Sequence, residues 1–208
     1  MIENDHVNFV PDMNVSRETK ERITTYVDLL IKWNATINLV SKSSIDQMWN
    51  RHILDSSQVF DYGHDALRWA DFGSGGGLPG LMVAILALEK SPQMHVTLVE
   101  SDQRKAAFLR HVGQKLGLNT QVITDRIESV PSLNANVVSA RALAPLPLLC
   151  AFAHRHLAPG GFAIFHKGKS AQAEISEARR TWQFSLESHV SSTDSSSSIL
   201  LLKGLARG

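Results

Sequence analysis

The sequence predicts an α/β fold, in which a mostly parallel seven-stranded sheet with an antiparallel edge strand is flanked by helices and preceded by N-terminal helices. Two observations predict it. Beyond about residue 66, short aliphatic runs alternate with longer segments of helical periodicity, and the strand runs end in glycine or polar residues. The last two strand runs follow each other without a helix, which favours an antiparallel hairpin. Alternating strands and helices place helices on both faces of a parallel sheet.

The composition describes an ordinary globular protein. The chain has 208 residues, of which 43% are hydrophobic, and its net charge is +1. This charge excludes the strongly basic footprint of a free-standing nucleic-acid binder, so any nucleic-acid contact should be local. No apolar run approaches the roughly twenty residues of a membrane span, and the N-terminus lacks the pattern of a secretion signal. Together with a single cysteine, Cys150, these features predict a cytoplasmic protein without membrane association.

The N-terminal part should be helical. Ser16 is placed to cap a helix over residues 17–33, which has apolar residues on one face. A second helix should begin near Ser44, because Gln47 follows at the spacing of a capping box. The stretch 61–65 then breaks the pattern. We therefore expect a helical appendage over residues 1–62 and a main domain over residues 63–208.

The main domain follows in order along the chain. The strands are expected at 67–71, 94–99, 121–123, 136–139, 162–165, 182–190 and 197–203. The helices between them are expected at 79–89, 102–116, from Pro145 or Pro147 to about 156, and at 170–180. Gly117 should close the second of these helices, since glycine is favoured directly after a helix.

The glycine-rich stretch that runs from Asp71 to Gly80 forms the turn between the first strand and its helix. Its glycines allow a ligand to lie against the backbone, and the start of the helix offers free N–H groups to it. Gly75-x-Gly77-x-x-Gly80 fits the dinucleotide-binding spacing, with Glu100 about twenty residues further on. Asp71-x-Gly73-x-Gly75-x-Gly77 fits the loop of S-adenosylmethionine-dependent methyltransferases. Asp71 favours the second interpretation, because a carboxylate can bind the ammonium of the methionine part but repels a pyrophosphate.

Further candidates stand at the ends of the other strands. Glu100 can accept hydrogen bonds from both ribose hydroxyls, and backbone groups of Ile127 and Glu128 can read an adenine. Arg141 should stand at the open rim, where the methyl group meets its acceptor. Lys167 should lie on the same rim, where it can contact a phosphate or a carbonyl.

The remaining histidines carry weaker signals. His154 and His156 lack an accompanying cysteine or carboxylate cluster, so we expect a solvated helix end and no metal site. His52 lies on an apolar helix face, where a hydrogen-bonded core histidine is expected.

Several motifs taken together resemble one known family. They are Lys32-Trp33-Asn34 with Asn38-Leu39, Arg51-His52-Ile53-Leu54-Asp55-Ser56, the loop Asp71 to Gly80, Glu100-Ser101, Arg104-Lys105, Phe108-Leu109-Arg110, Arg126-Ile127-Glu128, Ser139-Ala140-Arg141-Ala142 and Lys167-Gly168. In this order they resemble the glucose-inhibited division protein B family, which are bacterial methyltransferases of a guanine in small-subunit ribosomal RNA. The resemblance covers roughly residues 25–170.

The resemblance implies a Rossmann-like class I S-adenosylmethionine-dependent methyltransferase that acts on guanine N7 in 16S ribosomal RNA, within the small subunit or an assembly intermediate, as a monomer. In that family the cofactor contacts correspond to Gly73, Leu78, Ile127, Glu128 and Arg141. With the candidates above, the expected cofactor-binding residues are Asp71, Gly73, Gly75, Gly77, Leu78, Glu100, Ser101, Ile127, Glu128 and Arg141. Arg141 and Lys167 are the expected catalytic residues.

Three alternatives remain open at this point. The loop spacing also permits a nicotinamide-dependent oxidoreductase. The near-neutral charge permits a methyltransferase with another RNA, a protein or a small molecule as acceptor. The fold alone also permits a non-catalytic ribosome-assembly factor.

Overall fold

Seven strands form a single sheet in the structure, a computed structural model that describes residues 13–208. The strands are β1 (Arg68–Phe72), β2 (His95–Val99), β3 (Thr120–Ile123), β4 (Ala135–Arg141), β5 (Leu157–Lys167), β6 (Trp182–Val190) and β7 (Ser198–Arg207). Their order is β3-β2-β1-β4-β5-β7-β6. β1 to β5 are mutually parallel, and β7 runs antiparallel between β5 and β6. The predicted α/β fold is therefore confirmed, with the antiparallel strand one position in from the edge.

Four of the described α-helices follow strands of the sheet as predicted, and the first two precede it. The helices are α1 (Arg17–Asn34), α2 (Asp55–Gly63), α3 (Gly80–Lys90), α4 (Gln103–Leu116), α5 (Leu146–His156) and α6 (Ala171–Ala178). The Ser16 side chain caps α1 by accepting a hydrogen bond from the Thr19 amide. Gly117 ends α4 in the left-handed conformation, at φ 64°. These two caps fix the helix boundaries that the sequence predicted.

The predicted helix start at Ser44 is wrong. Residues Lys42–Gln47 form a 3₁₀ helix, and Met48–Leu54 then form a π-helix that leads into α2. The Ser44 hydroxyl does not cap a helix; it donates to the Ser41 carbonyl and contacts the ring of His52. Because the Ser44 hydroxyl is engaged with Ser41 and His52, it forms no capping box with Gln47.

Two hydrophobic clusters make up the core of the part of the chain that the structure describes. One cluster unites residues of α1, α2, α3 and α4 with β1, including Tyr26, Leu30, Trp69 and Leu81. The other unites α5 and α6 with the sheet, including Phe72. The helices of the predicted appendage thus share a core with the sheet domain. The division at residue 62 stays a prediction, and residues 1–12 of that appendage lie outside the described residues.

The sheet reverses its order between β1 and β4, since β2 and β3 follow on one side and β5 on the other. In open α/β sheets, ligands bind beyond the carboxyl ends of the strands at this switch point. In register, Asp71 of β1 lies beside Ser139 of β4. Among residues 13–208, no helix is long and apolar enough to cross a membrane.

Candidate functional site

The loop that follows β1 is shaped by three glycines in the left-handed region. Gly73, Gly75 and Gly77 have φ values of 61°, 53° and 86°. The amides of Gly73 and Ser74 donate to the Val99 carbonyl of β2, at 2.9 and 3.2 Å, and so hold the loop to the sheet. Left-handed angles are costly for residues with a Cβ, so the shape of this loop depends on glycine.

The space above each glycine differs. A Cβ on Gly77 would overlap the side chain of Leu81, and one on Gly73 would come within 2.5 Å of Leu143 Cδ1. A Cβ on Gly75 would meet only the Gly73 carbonyl oxygen, at 3.6 Å. The loop is therefore packed from below at its two ends and open at Gly75. This opening fits a ligand that lies against the backbone.

Asp71 lies beneath the loop and is only 1% exposed. Its Oδ1 accepts a hydrogen bond from Ser139 Oγ at 2.6 Å, and its carbonyl accepts one from Ser74 Oγ at 3.0 Å. Oδ2 is buried and has no hydrogen-bond partner among the described residues. Burial raises the pKa of Asp71 to about 6, and the nearby Glu100 adds to this rise. The carboxylate thus joins the loop to the switch point, and its predicted contact with an ammonium stays a prediction.

Tyr26 of α1 supports the loop from the other side, and the sequence analysis did not select it. Its hydroxyl donates to the Gly76 carbonyl at 2.6 Å, and the residue is fully buried. Burial raises the pKa of Tyr26 well above its usual range, so the hydroxyl stays protonated as a donor. Tyr26 follows Ile23 by three residues and lies on the same buried face of α1. This spacing could have identified Tyr26 as a buried residue from the sequence.

Glu100 is buried at the end of β2 and bridges two backbone segments. Its Oε2 accepts from the Gly75 amide at 2.9 Å, and its Oε1 accepts from the Asp102 amide at 2.8 Å. Each carboxylate oxygen has a second lone pair, so both can still accept a hydroxyl. Ser101 is exposed beside it. The structure therefore brings the predicted ribose acceptor into direct contact with the glycine loop.

The Ile127–Glu128 segment is held by a histidine that the sequence analysis placed in solvent. His156 is fully buried, and its Nε2 donates to the Ile127 carbonyl at 3.1 Å. Its ring also packs edge-on against Phe72, with centroids 5.1 Å apart. The expectation of a solvated helix end is thus wrong for His156, because this residue lies on the face of α5 that packs against the sheet. Ile127 is 7% exposed and Glu128 is exposed.

Leu78 occupies the position directly before Pro79 and the start of α3. It is half-buried and packs against the cluster that contains α1 and α3. Its neighbours in sequence, Gly77 and Gly80, both have their Cβ directions filled by protein atoms. The predicted contact of Leu78 with a cofactor stays a prediction.

Arg141 ends β4, and its guanidinium is anchored to the N-terminal helices. Nη1 donates to Ser56 Oγ at 3.0 Å, while Nη2 donates to the Arg51 carbonyl at 2.8 Å and to His52 Nδ1 at 3.1 Å. Its side chain is 17% exposed, so Arg141 is less exposed than expected for a residue at the open rim. The next residue, Ala142, has φ 52°, an unusual backbone conformation of the kind that concentrates at functional sites.

The contact with Arg141 fixes the state of His52. A guanidinium can only donate, so His52 Nδ1 must accept and its Nε2 must carry the proton, which points to Ser44 Oγ at 2.8 Å. Burial and the charge of Arg141 lower the pKa of His52 to about 4. His52 is therefore a neutral, hydrogen-bonded core residue, as predicted.

Lys167 ends β5 and is already paired. Its Nζ contacts Glu174 Oε2 and the Ala144 carbonyl, each at 2.6 Å, and its side chain is 8% exposed. A contact of Lys167 with substrate would require this ion pair to open. The prediction of a substrate contact for Lys167 therefore stays untested.

A cavity of about 870 Å³ opens over the ends of β4 and β5. Among the residues that line it are Arg51, Asp55, Arg141, Leu143, His166 and Asp194. Leu143 links this cavity to the glycine loop, because the same side chain also covers Gly73. The predicted residues thus form two neighbouring groups, with Gly73 to Gly77 and Glu100 in one, and Arg141 and Lys167 in the other.

Asp55 lies at the centre of the second group, and sequence reasoning gave it no role. Its Oδ1 accepts from Ser191 Oγ at 2.7 Å and from Thr193 Oγ1 at 3.2 Å. Its Oδ2 lies 3.6 Å from Arg141 Nη1 and 3.8 Å from His166 Nε2. Burial lowers the pKa of His166, so that ring is neutral, and Arg141 is the cation that faces Asp55.

Comparison with known proteins identifies relatives of high similarity. The family described as GidB, rRNA small subunit methyltransferase G, matches residues 19–200. A protein named ribosomal RNA small subunit methyltransferase G from Ruegeria sp. (strain TM1040) is 51% identical over 94% of this chain and 96% of its own length. A protein of the same name from Paracoccus denitrificans (strain Pd 1222) is 49% identical, over 93% and 98% respectively.

Solved structures share the fold at much lower identity. A SAM dependent methyltransferase from Aquifex aeolicus superposes with a TM-score of 0.59 at 12% identity, over 85% of this chain and 97% of its own. The O-methyltransferase from Bacillus cereus in complex with SAH gives 0.58 at 15% identity, over 86% and 90%. Both support the Rossmann-like arrangement of the sheet.

Proposed function

This chain belongs to the GidB family of small-subunit ribosomal RNA methyltransferases G, and on that premise we propose that it transfers a methyl group from S-adenosylmethionine to N7 of a guanine in 16S ribosomal RNA. The observation that carries the proposal is the cavity that adjoins the glycine loop through Leu143. A methyl donor on the loop and an acceptor base in the cavity would then be neighbours. Family membership decides against the oxidoreductase alternative.

The residues of the loop fit the proposed methyl donor. The open face at Gly75 leaves room for a ligand against the backbone, and Glu100 keeps free lone pairs for ribose hydroxyls. His156 holds the Ile127 carbonyl, and with it the segment proposed to read the adenine. Asp71 would place negative charge beneath the positively charged methionine part. S-adenosylmethionine supplies an electrophilic methyl group on a sulfonium, and the protein's share is to position the acceptor.

The acceptor side needs no general base. Guanine N7 has a free lone pair and no proton, so its methylation releases none. His52 is bound on both nitrogens, and burial keeps His166 neutral. Catalysis would therefore rest on orientation and on exclusion of water, and orientation alone can supply several kcal/mol. Arg141, at the border of the two groups, is proposed to position substrate or cofactor without occupying N7.

The partner of this reaction is proposed to be small-subunit RNA, with the assembled subunit or an assembly intermediate as the physiological form. A net charge of +1 gives little general attraction to RNA, so recognition should rely on a local surface and on the shape of the substrate. The target guanine must lie in a loop or be flipped from its stack. We further propose that the protein acts as a monomer in the cytoplasm.

Two measurements test the proposal. Calorimetric titration should show binding of S-adenosylmethionine and none of NADH. Tritiated methyl transfer should then label small subunits or naked 16S RNA, and the labelled nucleoside should be 7-methylguanosine. Label in another nucleoside would refute the acceptor, and NADH binding in place of S-adenosylmethionine would refute the cofactor.

A further inference from the structure

The guanidinium of Arg141 is oriented by one short segment of the N-terminal part, where the π-helix passes into α2. Nη1 donates to Ser56 Oγ at 3.0 Å. Nη2 donates to the Arg51 carbonyl at 2.8 Å and to His52 Nδ1 at 3.1 Å. Both Nη nitrogens are therefore bound by the protein itself, and the plane of the guanidinium is fixed in the absence of a ligand.

Asp55, in the same segment, is the counter-ion of this guanidinium. Its Oδ2 lies 3.6 Å from Arg141 Nη1, and no other carboxylate among residues 13–208 forms an ion pair with Arg141. The two side chains are only 11% and 17% exposed, so water screens their charges little. Burial lowers the pKa of Arg141, and the facing Asp55 carboxylate opposes this shift. Asp55 thus offsets the cost of keeping a cation in a buried place.

The hydrogen-bond acceptors of Arg141 cannot replace this negative charge. The Ser56 hydroxyl and the Arg51 carbonyl are neutral groups. Burial and the charge of Arg141 lower the pKa of His52 to about 4, so its ring is neutral as well. The side chain of Arg51 carries a like charge, which further disfavours the charged form of Arg141. Without the Asp55 charge, the guanidinium would keep its hydrogen bonds but lose its counter-ion, and we expect it to turn toward the solvent in the cavity.

Asp55 is itself held from the far end of the chain. Its Oδ1 accepts from Ser191 Oγ at 2.7 Å and from Thr193 Oγ1 at 3.2 Å, both in the turn between β6 and β7. Its carbonyl accepts a hydrogen bond from His166 Nε2 of β5 at 3.1 Å. The carboxylate is therefore fixed on one side by this turn and presents its other oxygen to Arg141.

The place of Arg141 makes its orientation important. Arg141 ends β4 and lines the cavity that adjoins the glycine loop. A methyl transfer without a general base depends on how the two reactants are oriented, and a displacement of about 1 Å can lower such a rate about a hundredfold. A residue that fixes Arg141 can therefore affect the reaction without touching either reactant.

We propose that Asp55 is a positioning residue for the methyl transfer, and that its carboxylate holds the Arg141 guanidinium at the border between the glycine loop and the cavity. This inference rests on the proposed function for the role of Arg141. It goes beyond it by assigning Asp55 a role that acts through Arg141 and needs no contact with substrate. Asp55→Asn tests it closely, because asparagine keeps an oxygen for Ser191 and Thr193 and removes only the charge.

The first experiment observes Arg141 directly and needs no methyl transfer. NMR of the full chain with ¹⁵N-labelled arginine should show resolved Nη–H signals of a guanidinium that does not rotate freely, assigned to Arg141 by their loss in Arg141→Gln. These signals should disappear or merge in Asp55→Asn. Signals that persist unchanged in Asp55→Asn, or the absence of any such signal in the unsubstituted protein, would overturn the inference.

A control in the same cavity separates the ion pair from the general charge. Asp194 is exposed, lines the cavity and accepts hydrogen bonds from Ser196 and Ser197. Asp194→Asn removes one negative charge without touching Arg141, so the Arg141 signals should remain. If they are lost as in Asp55→Asn, the cavity charge and not the ion pair orients the guanidinium, and the inference fails.

The second experiment is a double-mutant cycle of RNA methylation. Asp55→Asn should lower kcat roughly ten- to hundredfold and leave S-adenosylmethionine affinity unchanged. In the Arg141→Gln protein, the same substitution should lower kcat little further, because Asp55 then has no guanidinium to hold. Losses that add up, or an equal loss of cofactor affinity, would show that Asp55 acts apart from Arg141 and would overturn the inference.

Folding and function are distinguished by two further outcomes. If Asp55→Asn alone does not fold, the double variant with Arg141→Gln should fold, because it leaves no buried charge unpaired. A double variant that also fails to fold would assign Asp55 to the fold and overturn the inference. Absence of methylation by the unsubstituted protein would refute the proposed function, while the NMR spectra would still decide whether Asp55 holds Arg141.

Discussion

Replacing Asp71 by asparagine should remove the loss of stability that ionisation of this buried carboxyl causes as the pH rises, and it should weaken cofactor binding. Asp71 is fully buried, and its pKa is raised from 3.8 to about 6 in the folded state. Folding therefore favours the protonated form. The stability that Asp71 contributes is complete below pH 4 and is lost as the pH rises through about 6, a difference that corresponds to about 3 kcal/mol.

Asparagine resembles the protonated side chain and cannot ionise. Its oxygen can still accept from Ser139, so the hydrogen bond to β4 is retained. The free energy of unfolding of Asp71→Asn, relative to the unsubstituted protein, should therefore rise by about 2 kcal/mol between pH 4.5 and pH 8. Any change in stability that the amide causes equally at both pH values cancels from this comparison.

Urea unfolding followed by tryptophan fluorescence at several pH values measures this difference. Asp46→Asn is the matched control, because Asp46 is exposed, and its curve should run parallel to that of the unsubstituted protein. In Asp71→Asn, the binding free energy of S-adenosylmethionine at pH 8 should weaken by about 1–3 kcal/mol, as for a lost charged interaction. A stability difference that is constant with pH would refute the raised pKa, and unchanged affinity would remove Asp71 from the cofactor site.

Three further changes test the loop and the rim. Tyr26→Phe leaves the buried Gly76 carbonyl without its donor, so it should destabilise the protein by about 1–3 kcal/mol and weaken S-adenosylmethionine binding in calorimetry; a stability loss with full affinity would limit Tyr26 to the core. Gly77→Ala should abolish cofactor binding, since its Cβ would overlap Leu81 at φ 86°; normal affinity would show that the loop can shift. Arg141→Ala should lower the turnover of RNA methylation more than cofactor affinity, and equal losses would contradict a role toward the acceptor.

Much of the fold could be predicted from the sequence, because local patterns determine it. Alternating apolar runs located all seven strands, although β5 begins at Leu157 and β7 ends at Arg207, both beyond the predicted bounds. The left-handed cap at Gly117 needs only local backbone chemistry. The π-helix Met48–Leu54 could not be predicted. Its apolar spacing also suits an α-helix, and the contact of His52 with Arg141 joins residues 89 positions apart.

The candidate site also has residues that the sequence could predict and residues that it could not. The glycine loop and Glu100 are marked by residue type and spacing, so sequence reasoning selected them. Asp55 and Tyr26 were missed because their roles depend on partners far along the chain. Tyr26 and Gly76 are 50 residues apart, and Asp55 and Ser191 are 136 residues apart. No periodic pattern encodes such pairs.

The position of β7 has a consequence for the order in which the protein is made. β7 inserts between β5 and β6 with four consecutive buried residues, Ile199 to Leu202, and its neighbouring loop binds Asp55. On the ribosome, the glycine loop and Glu100 therefore emerge and can fold well before the wall of the acceptor cavity exists. Until β7 is synthesised, the nascent sheet exposes the open edge of β5, a surface on which other strands can add. The loop that would hold the methyl donor is thus already made while the part of the cavity wall formed by residues 193–197 is still missing.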